Sequence, residues 1–165
     1  MSGYPYCGVD FGVRLVTICR LTTNGTPRWT ELKAEKGTDA LEACRQLSAD
    51  SWRWAWDTDC VWVERSMGRY IRSVSDLARV QGAVIATIRK QCTISEIPPA
   101  EWRRAIGLPG NAKKTDVMAW ATASLDRAPD TQDMADAYCI AQACRISSLR
   151  AVRLLDETEE DPALD

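Results

Sequence analysis

Apolar and polar positions along this chain fall into two periods, one of two residues and one near 3.6. From Tyr6 to Val13 a run of strand-forming residues is interrupted once, by Asp10, and predicts a first strand over 6–13. Residues 14–21 alternate and predict a second strand. Asn24-Gly25 is a hairpin turn signal, and a third strand follows from about Arg28 to Lys33, which gives an antiparallel meander. Thr38-Asp39 caps a helix beginning near Ala40, with Leu41, Cys44 and Leu47 or Ser48 on its inner face. Trp52, Trp54 and Trp56 close that stretch and are expected to pack in the core rather than to stack on bases.

Residues 60–64 read as a fourth strand that ends in an acid, Glu64. A strand reached through a helix after a meander should lie parallel to the first, by a right-handed crossover. Glu64 then falls at the sheet edge that carries Asp10. Ser73 and Asp76 have capping-box spacing and open a long helix, buried along Leu77, Val80, Gln81, Val84, Ile85 and Ile88. Its small residues Ala78, Gly82, Ala83 and Ala86 admit close packing, including with a second subunit. A fifth strand at 92–97 is stopped by Pro98-Pro99, which open a short helix containing Trp102, Arg103 and Arg104. A Gly/Asn turn over 107–111 leads into a helix that carries Lys113 and Lys114 in its first turn and continues through 117–125. The last helix opens at Asp130-Thr131 and runs to Cys144. The pattern as a whole predicts an α/β domain: a mixed five-stranded sheet, three antiparallel strands then two parallel, flanked by helices.

Composition narrows the chemistry. At 165 residues, 45% hydrophobic and 27% charged, the chain has the balance of one globular domain. No apolar run approaches the roughly 18 residues of a membrane span, and the N-terminus lacks a secretory pattern, so a cytoplasmic protein is expected. The seven cysteines are odd in number, lack Cys-x-x-Cys spacing and read as small core residues in a reducing interior. There is no histidine, which removes Cys/His zinc sites and Ser-His or Cys-His nucleophiles. The net charge of −2 argues against a nucleic-acid partner until the end of the chain is set apart. That end holds six of the 23 acidic residues and leaves 21 basic against 17 acidic elsewhere. The domain is read as 1–153, and 154–165 as an acidic, disordered tail.

A carboxylate inside a buried strand is costly unless it is paired or holds a metal. Asp10 therefore asks for partners. Asp10-Phe11-Gly12 also suits the opening strand of an actin-like or sugar-kinase-like nucleotide fold. The chain is short for two lobes, however, and no second glycine-rich phosphate loop follows. Asp133 and Asp136 lie three apart on one helical face, which Ala137, Ile140 and Cys144 continue toward the sheet. The helix dipole alone favours acids in a first turn, but acids on an inward face need a counter-ion. Asp10, Glu64, Asp133 and Asp136 form an all-oxygen donor set that suits Mg²⁺, with Mn²⁺ a substitute, rather than zinc. Such sets commonly hold two hard cations about 4 Å apart and serve phosphodiester hydrolysis. Two basic features accompany them. Arg65, Met67, Arg69, Tyr70 and Arg72 follow Glu64 and suit a phosphate backbone with a stacking side chain. Lys113 and Lys114 stand at a helix N-terminus, where an anion explains them better than the dipole does.

In order and spacing, Gly8-Val9-Asp10-Phe11-Gly12, Val61-Trp62-Val63-Glu64, Gly110-Asn111-Ala112-Lys113-Lys114 and Asp133-Met134-Ala135-Asp136-Ala137 resemble the RNase H-like nuclease superfamily. More narrowly, they resemble RuvC-type Holliday junction resolvases, over Gly8 to about Cys144. The resemblance implies an RNase H-like fold and a homodimer that cuts two strands of a four-way DNA junction symmetrically. It implies that Asp10, Glu64, Asp133 and Asp136 are metal ligands, with Lys114 near the scissile phosphate and Lys113 its neighbour. It sends the loop after Glu64 into the junction centre, where the family carries an aromatic wedge. Met67 stands near that place here, and the aromatic Tyr70 is displaced from it. The compact chain suits a phage version of the family. Activity on flaps or on RNA–DNA hybrids, and a non-catalytic junction-binding module, are the competing expectations.

Overall fold

Alternation in the first strand decides which side chains face which layer. The computed structural model describes residues 3–55, 58–65, 71–88 and 92–159. In β1 (Tyr6–Phe11), Cys7, Val9 and Phe11 enter one core, while Tyr6, Gly8 and Asp10 fall on the opposite face. The chain continues through β2 (Leu15–Leu21), β3 (Pro27–Lys33), α1 (Ala40–Ala55), β4 (Cys60–Glu64) and α2 (Ile71–Ile85). It ends with β5 (Thr93–Ile97), α3 (Pro99–Ala105), α4 (Lys114–Leu125) and α5 (Gln132–Glu159).

The sheet order is β3-β2-β1-β4-β5. The first three strands pair antiparallel, and β1 with β4 and β4 with β5 pair parallel, which is the expected mixed sheet. Register carries the site. Asp10 stands opposite Thr17 on β2, and Val9 stands opposite Val63 on β4, so Glu64 sits at the same end of the sheet as Asp10.

Each face has its own core. Leu47 of α1 and Val80 and Val84 of α2 cover Val9, Ile18 and Val61. Trp102 of α3, Val117 and Ala121 of α4, and Tyr138 and Ile140 of α5 cover Cys19, Leu21 and Ile97. Tyr138 anchors α5: its hydroxyl is 2.8 Å from Ser124 Oγ and accepts from Gln142 Nε2 at 2.9 Å. The rings of Trp29 and Trp120 each lie 6.2 Å from it. The Trp29 indole also donates to the Met134 carbonyl at 3.2 Å.

Several local expectations shift. β1 stops at Phe11, because the Gly12 N–H turns back to the Leu15 carbonyl at 2.7 Å. Asp39 caps α1 as expected, its Oδ1 accepting the Glu42 N–H at 2.8 Å. Leu41 is not on the inner face: it is 70% exposed, since Ala43 and Leu47, four apart, set the buried stripe. Ser73 is not the cap of α2, which begins at Ile71; Asp76 instead pairs with Arg79 one turn on, at 3.0 Å. Neither Ile71 nor Arg72 breaks a helix, so the helix extends back past Ser73. The last helix does not end near Cys144. It continues through Glu159, into the stretch read as a tail. The side chains of Trp52, Trp54 and Trp56, and residues 160–165, lie outside the described residues. No described helix is long and apolar enough to cross a membrane.

Candidate active site

Three elements deliver the acids to one place. β1 supplies Asp10, the end of β4 supplies Glu64, and the first turns of α5 supply Asp133 and Asp136. All four line a cavity of about 280 Å³ together with Thr17, Arg103 and Lys114. The four acids and Lys114, separated by up to 126 positions in the chain, are thus brought together as the sequence suggested. Among the described residues no ion pair reaches any of the four acids, and no three of them form a closed set of metal ligands. They line one cavity rather than one finished coordination sphere.

The electrostatics of that cavity are those of crowded, half-buried negative charge. Burial pushes the Asp10 carboxyl up from 3.8 to about 7, and Asp136, Glu64 and Asp133 push the same way against Lys114. Burial also raises Glu64; the Trp102 indole N–H, which donates to its Oε2 at 2.7 Å, opposes the rise, and Asp136 adds to it. Asp136 is raised by burial against the Gln132 side chain, whose Nε2 donates to it at 2.9 Å.

This has a consequence for stability in the metal-free protein. A carboxyl whose folded-state pKa exceeds its unfolded one stabilises the fold fully only below the unfolded value. That contribution is lost as pH rises through the folded value. For Asp10 alone the loss between about pH 4 and pH 8 is about 4 kcal/mol, and Glu64 and Asp136 act in the same direction. The urea midpoint of metal-free protein is therefore expected to fall as pH rises across this window. A midpoint that stays flat or climbs would show that the acids are not crowded together.

Four residues at the site were not singled out for it by sequence. Trp102 and Gln132 hold carboxylate oxygens as just described. Arg103 lines the cavity, lies 5.0 Å from the Trp102 ring centroid, and keeps a buried Nε without a hydrogen-bond partner. Thr17 is 1% exposed, and its Oγ1 likewise has no partner. The signal for Arg103 was the Trp-Arg-Arg run just after β5; Thr17 read only as a polar position in an alternating strand. Of the expected DNA contacts, Lys113 is the N-cap of α4, and its N–H donates to Asp116 Oδ2 at 2.8 Å. Arg65 is exposed, with its N–H bonded to the Ile97 carbonyl at 2.8 Å. Neither lines the cavity. Met67, Arg69, Tyr70 and the side chain of Arg72 lie outside the described residues.

A mixed sheet with half-buried acids at the joined ends of its first and fourth strands, and helices on both faces, is the RNase H-like fold. The particular likeness is to RuvC. The Thermus thermophilus RuvC structure matches with a TM-score of 0.75 at 19% identity, over 88% of this chain and 95% of that one. T. thermophilus RuvC in complex with a Holliday junction substrate matches with a TM-score of 0.73 at 18% identity, over 87% and 94%. Fowlpox virus resolvase, bound to substrate Holliday junction DNA, matches with a TM-score of 0.50 at 13% identity, over 88% and 97%. No protein-family model and no curated protein matches the sequence.

Proposed function

We propose that this protein is a divalent-metal-dependent endonuclease that resolves four-way DNA junctions by phosphodiester hydrolysis. The observation that carries this reading is the convergence of Asp10, Glu64, Asp133 and Asp136 on one cavity whose remaining charged lining is Arg103 and Lys114. The fold shared with two proteins whose structures hold Holliday junction DNA supports that substrate class.

The residues fit a hard cation. Half-buried carboxylates that raise one another's pKa are stabilised by added positive charge, and an all-oxygen set suits Mg²⁺, with Mn²⁺ able to substitute. The four acids would hold it, and when bound it supplies charge for activating water and stabilising the leaving oxygen. The protein's own groups do the rest. The Trp102 indole fixes one Glu64 oxygen, and the Gln132 amide fixes one Asp136 oxygen. Lys114 and Arg103, the cationic part of the lining, would offer positive charge to a phosphate in an otherwise acidic cavity. A homodimer would present a second such site to the opposite strand. Ala78 and Gly82 lie exposed on one stripe of α2, which supports a close helix contact of that kind.

Thr17 has a role in the same reading, since its orphaned hydroxyl stands opposite Asp10. Thr17→Val is expected to raise metal-free stability by about 1 kcal/mol, because an unsatisfied buried hydroxyl is removed. It should also weaken Mn²⁺ binding by about three- to tenfold. Thr17→Ser should bind as the wild type does. Thermal unfolding and calorimetric titration measure both effects, and unchanged Mn²⁺ affinity in Thr17→Val would take Thr17 out of the site.

The overall reading is tested by cleavage of synthetic DNA with each strand labelled. A four-way junction should be nicked symmetrically in Mg²⁺ and left intact in a chelator, and faster than a flap, a linear duplex or an RNA–DNA hybrid. Junction binding without nicks at any concentration would leave a binding module. Preferential cleavage of the hybrid would make the protein a ribonuclease H.

A further inference from the structure

Two cysteines meet on the face of the sheet that carries the acids. Cys60 opens β4, on the same side as Trp62 and Glu64, and Cys144 lies on α5. Their sulfurs are 3.3 Å apart, with the Cys144 thiol directed at Cys60. Both are free thiols. They differ in access: Cys144 is fully buried, while Cys60 is only partly so. They differ in polarity too. Cys60 receives hydrogen bonds from Cys144 and from the Ser148 hydroxyl, and these bring its pKa down to about 7. The hydrogen bond to Cys60, and then burial, keep Cys144 protonated. A partly exposed cysteine that favours the thiolate, beside a buried one that keeps its proton, is the asymmetry of an attacking and a resolving thiol.

We propose that Cys60 and Cys144 form a thiol–disulfide exchange site that accepts a low-molecular-weight disulfide of the glutathione type and closes into an internal disulfide between β4 and α5. In the first step the Cys60 thiolate attacks one sulfur of the reagent. The reagent's S–S bond breaks, one thiolate leaves, and Cys60 carries a mixed disulfide. In the second step Cys144 loses its proton to solvent and attacks the Cys60 sulfur. The second reagent thiolate leaves as the Cys60–Cys144 bond forms. Two protein thiols are oxidised by two electrons, and one reagent disulfide is reduced to two thiols. Closure brings the sulfurs from 3.3 Å to about 2 Å, a shift within reach of side-chain rotation. The bond ties together positions 84 apart, and thereby the strand that ends in Glu64 and the helix that carries Asp133 and Asp136. The oxidised protein should melt about 5 °C or more above the reduced one, reversibly. The site stands independently of the nuclease reading.

The test uses the full chain, incubated with oxidised glutathione near pH 8 and followed by intact mass and peptide mapping. A link between Cys60 and Cys144 is expected, forming about tenfold faster than any adduct at Cys44, a partly buried thiol whose pKa burial raises. Cys144→Ala should stop at a glutathione adduct on Cys60, and Cys60→Ala should leave Cys144 free. The wild-type mapping needs no variant, so a variant that misfolds does not remove the test. Cys60 remaining free while Cys44 reacts, or disulfides forming between copies instead of within one, would overturn the proposal.

Discussion

Asp10→Asn should lower junction cleavage by a factor on the order of 10³ or more, while junction affinity stays within about threefold of the wild type. Asn keeps the shape and one acceptor oxygen but not the charge that would hold a cation. Phosphate contacts elsewhere supply affinity and are untouched. The same change should make the metal-free protein more stable, with the gain largest near pH 8. In the wild type, Asp10 ionises there against burial and three neighbouring acids, with a pKa of about 7. Toward pH 4 the wild-type carboxyl is neutral in the fold and the gain should fade. Loss of activity together with a pH-dependent gain in stability cannot come from unfolding. Strand-labelled junction cleavage, filter binding and urea midpoints at two pH values separate these effects. Cleavage at the wild-type rate would remove Asp10 from the site.

The parts of this site that were legible in the sequence are those whose cost shows locally. A charge inside an apolar strand, or two acids on the inward face of a helix, conflicts with its surroundings and points to a partner. Sheet order was legible because the Asn24-Gly25 turn signal and a helical crossover leave few arrangements. The supporting residues were not legible, because their roles exist only in tertiary structure. Trp102 meets Glu64 across 38 positions, and nothing near either residue announces it. Thr17 becomes notable only once the strand register sets it opposite Asp10 with no hydrogen-bond partner. Leu41 was misplaced because two apolar residues near a helix start fit more than one phase, and burial of Ala43 and Leu47 decided between them. The length of α5 was missed for another reason. Beyond Cys144 the apolar period fades as the helix leaves the sheet, and Leu149, Val152 and Leu154 are exposed there. Leucine, arginine and alanine sustain a helix without a buried face.

Gly8→Ala is expected to cost the fold about 3 kcal/mol or more, and to take cleavage with it. Gly8 lies on the same face of β1 as Asp10, two residues before it, and α5 rests directly on it. A Cβ there would sit 2.8 Å from the Ile140 carbonyl carbon, and inside contact distance of the Ala141 backbone nitrogen and the Ala137 backbone oxygen. Side chains can rotate away from a new methyl group, but the backbone of a packed helix cannot. α5 must lift or shift as a unit, and it carries Asp133 and Asp136. The distance from those acids to Asp10 is therefore set by the absence of a side chain at position 8. Gly82→Ala on α2 is the control for stability within one chain, not for cleavage, because Gly82 lies on the stripe offered to a second subunit. Within the chain a Cβ there meets nothing within 4 Å, so the change should stabilise the monomer by about 0.5–1 kcal/mol through lost unfolded-state entropy. Urea midpoints of the two variants give opposite signs on this account, and junction cleavage is measured for Gly8→Ala beside them. A Gly8→Ala protein as stable and as active as the wild type would mean that α5 does not press on β1, and the four acids would then have no reason to share a cavity.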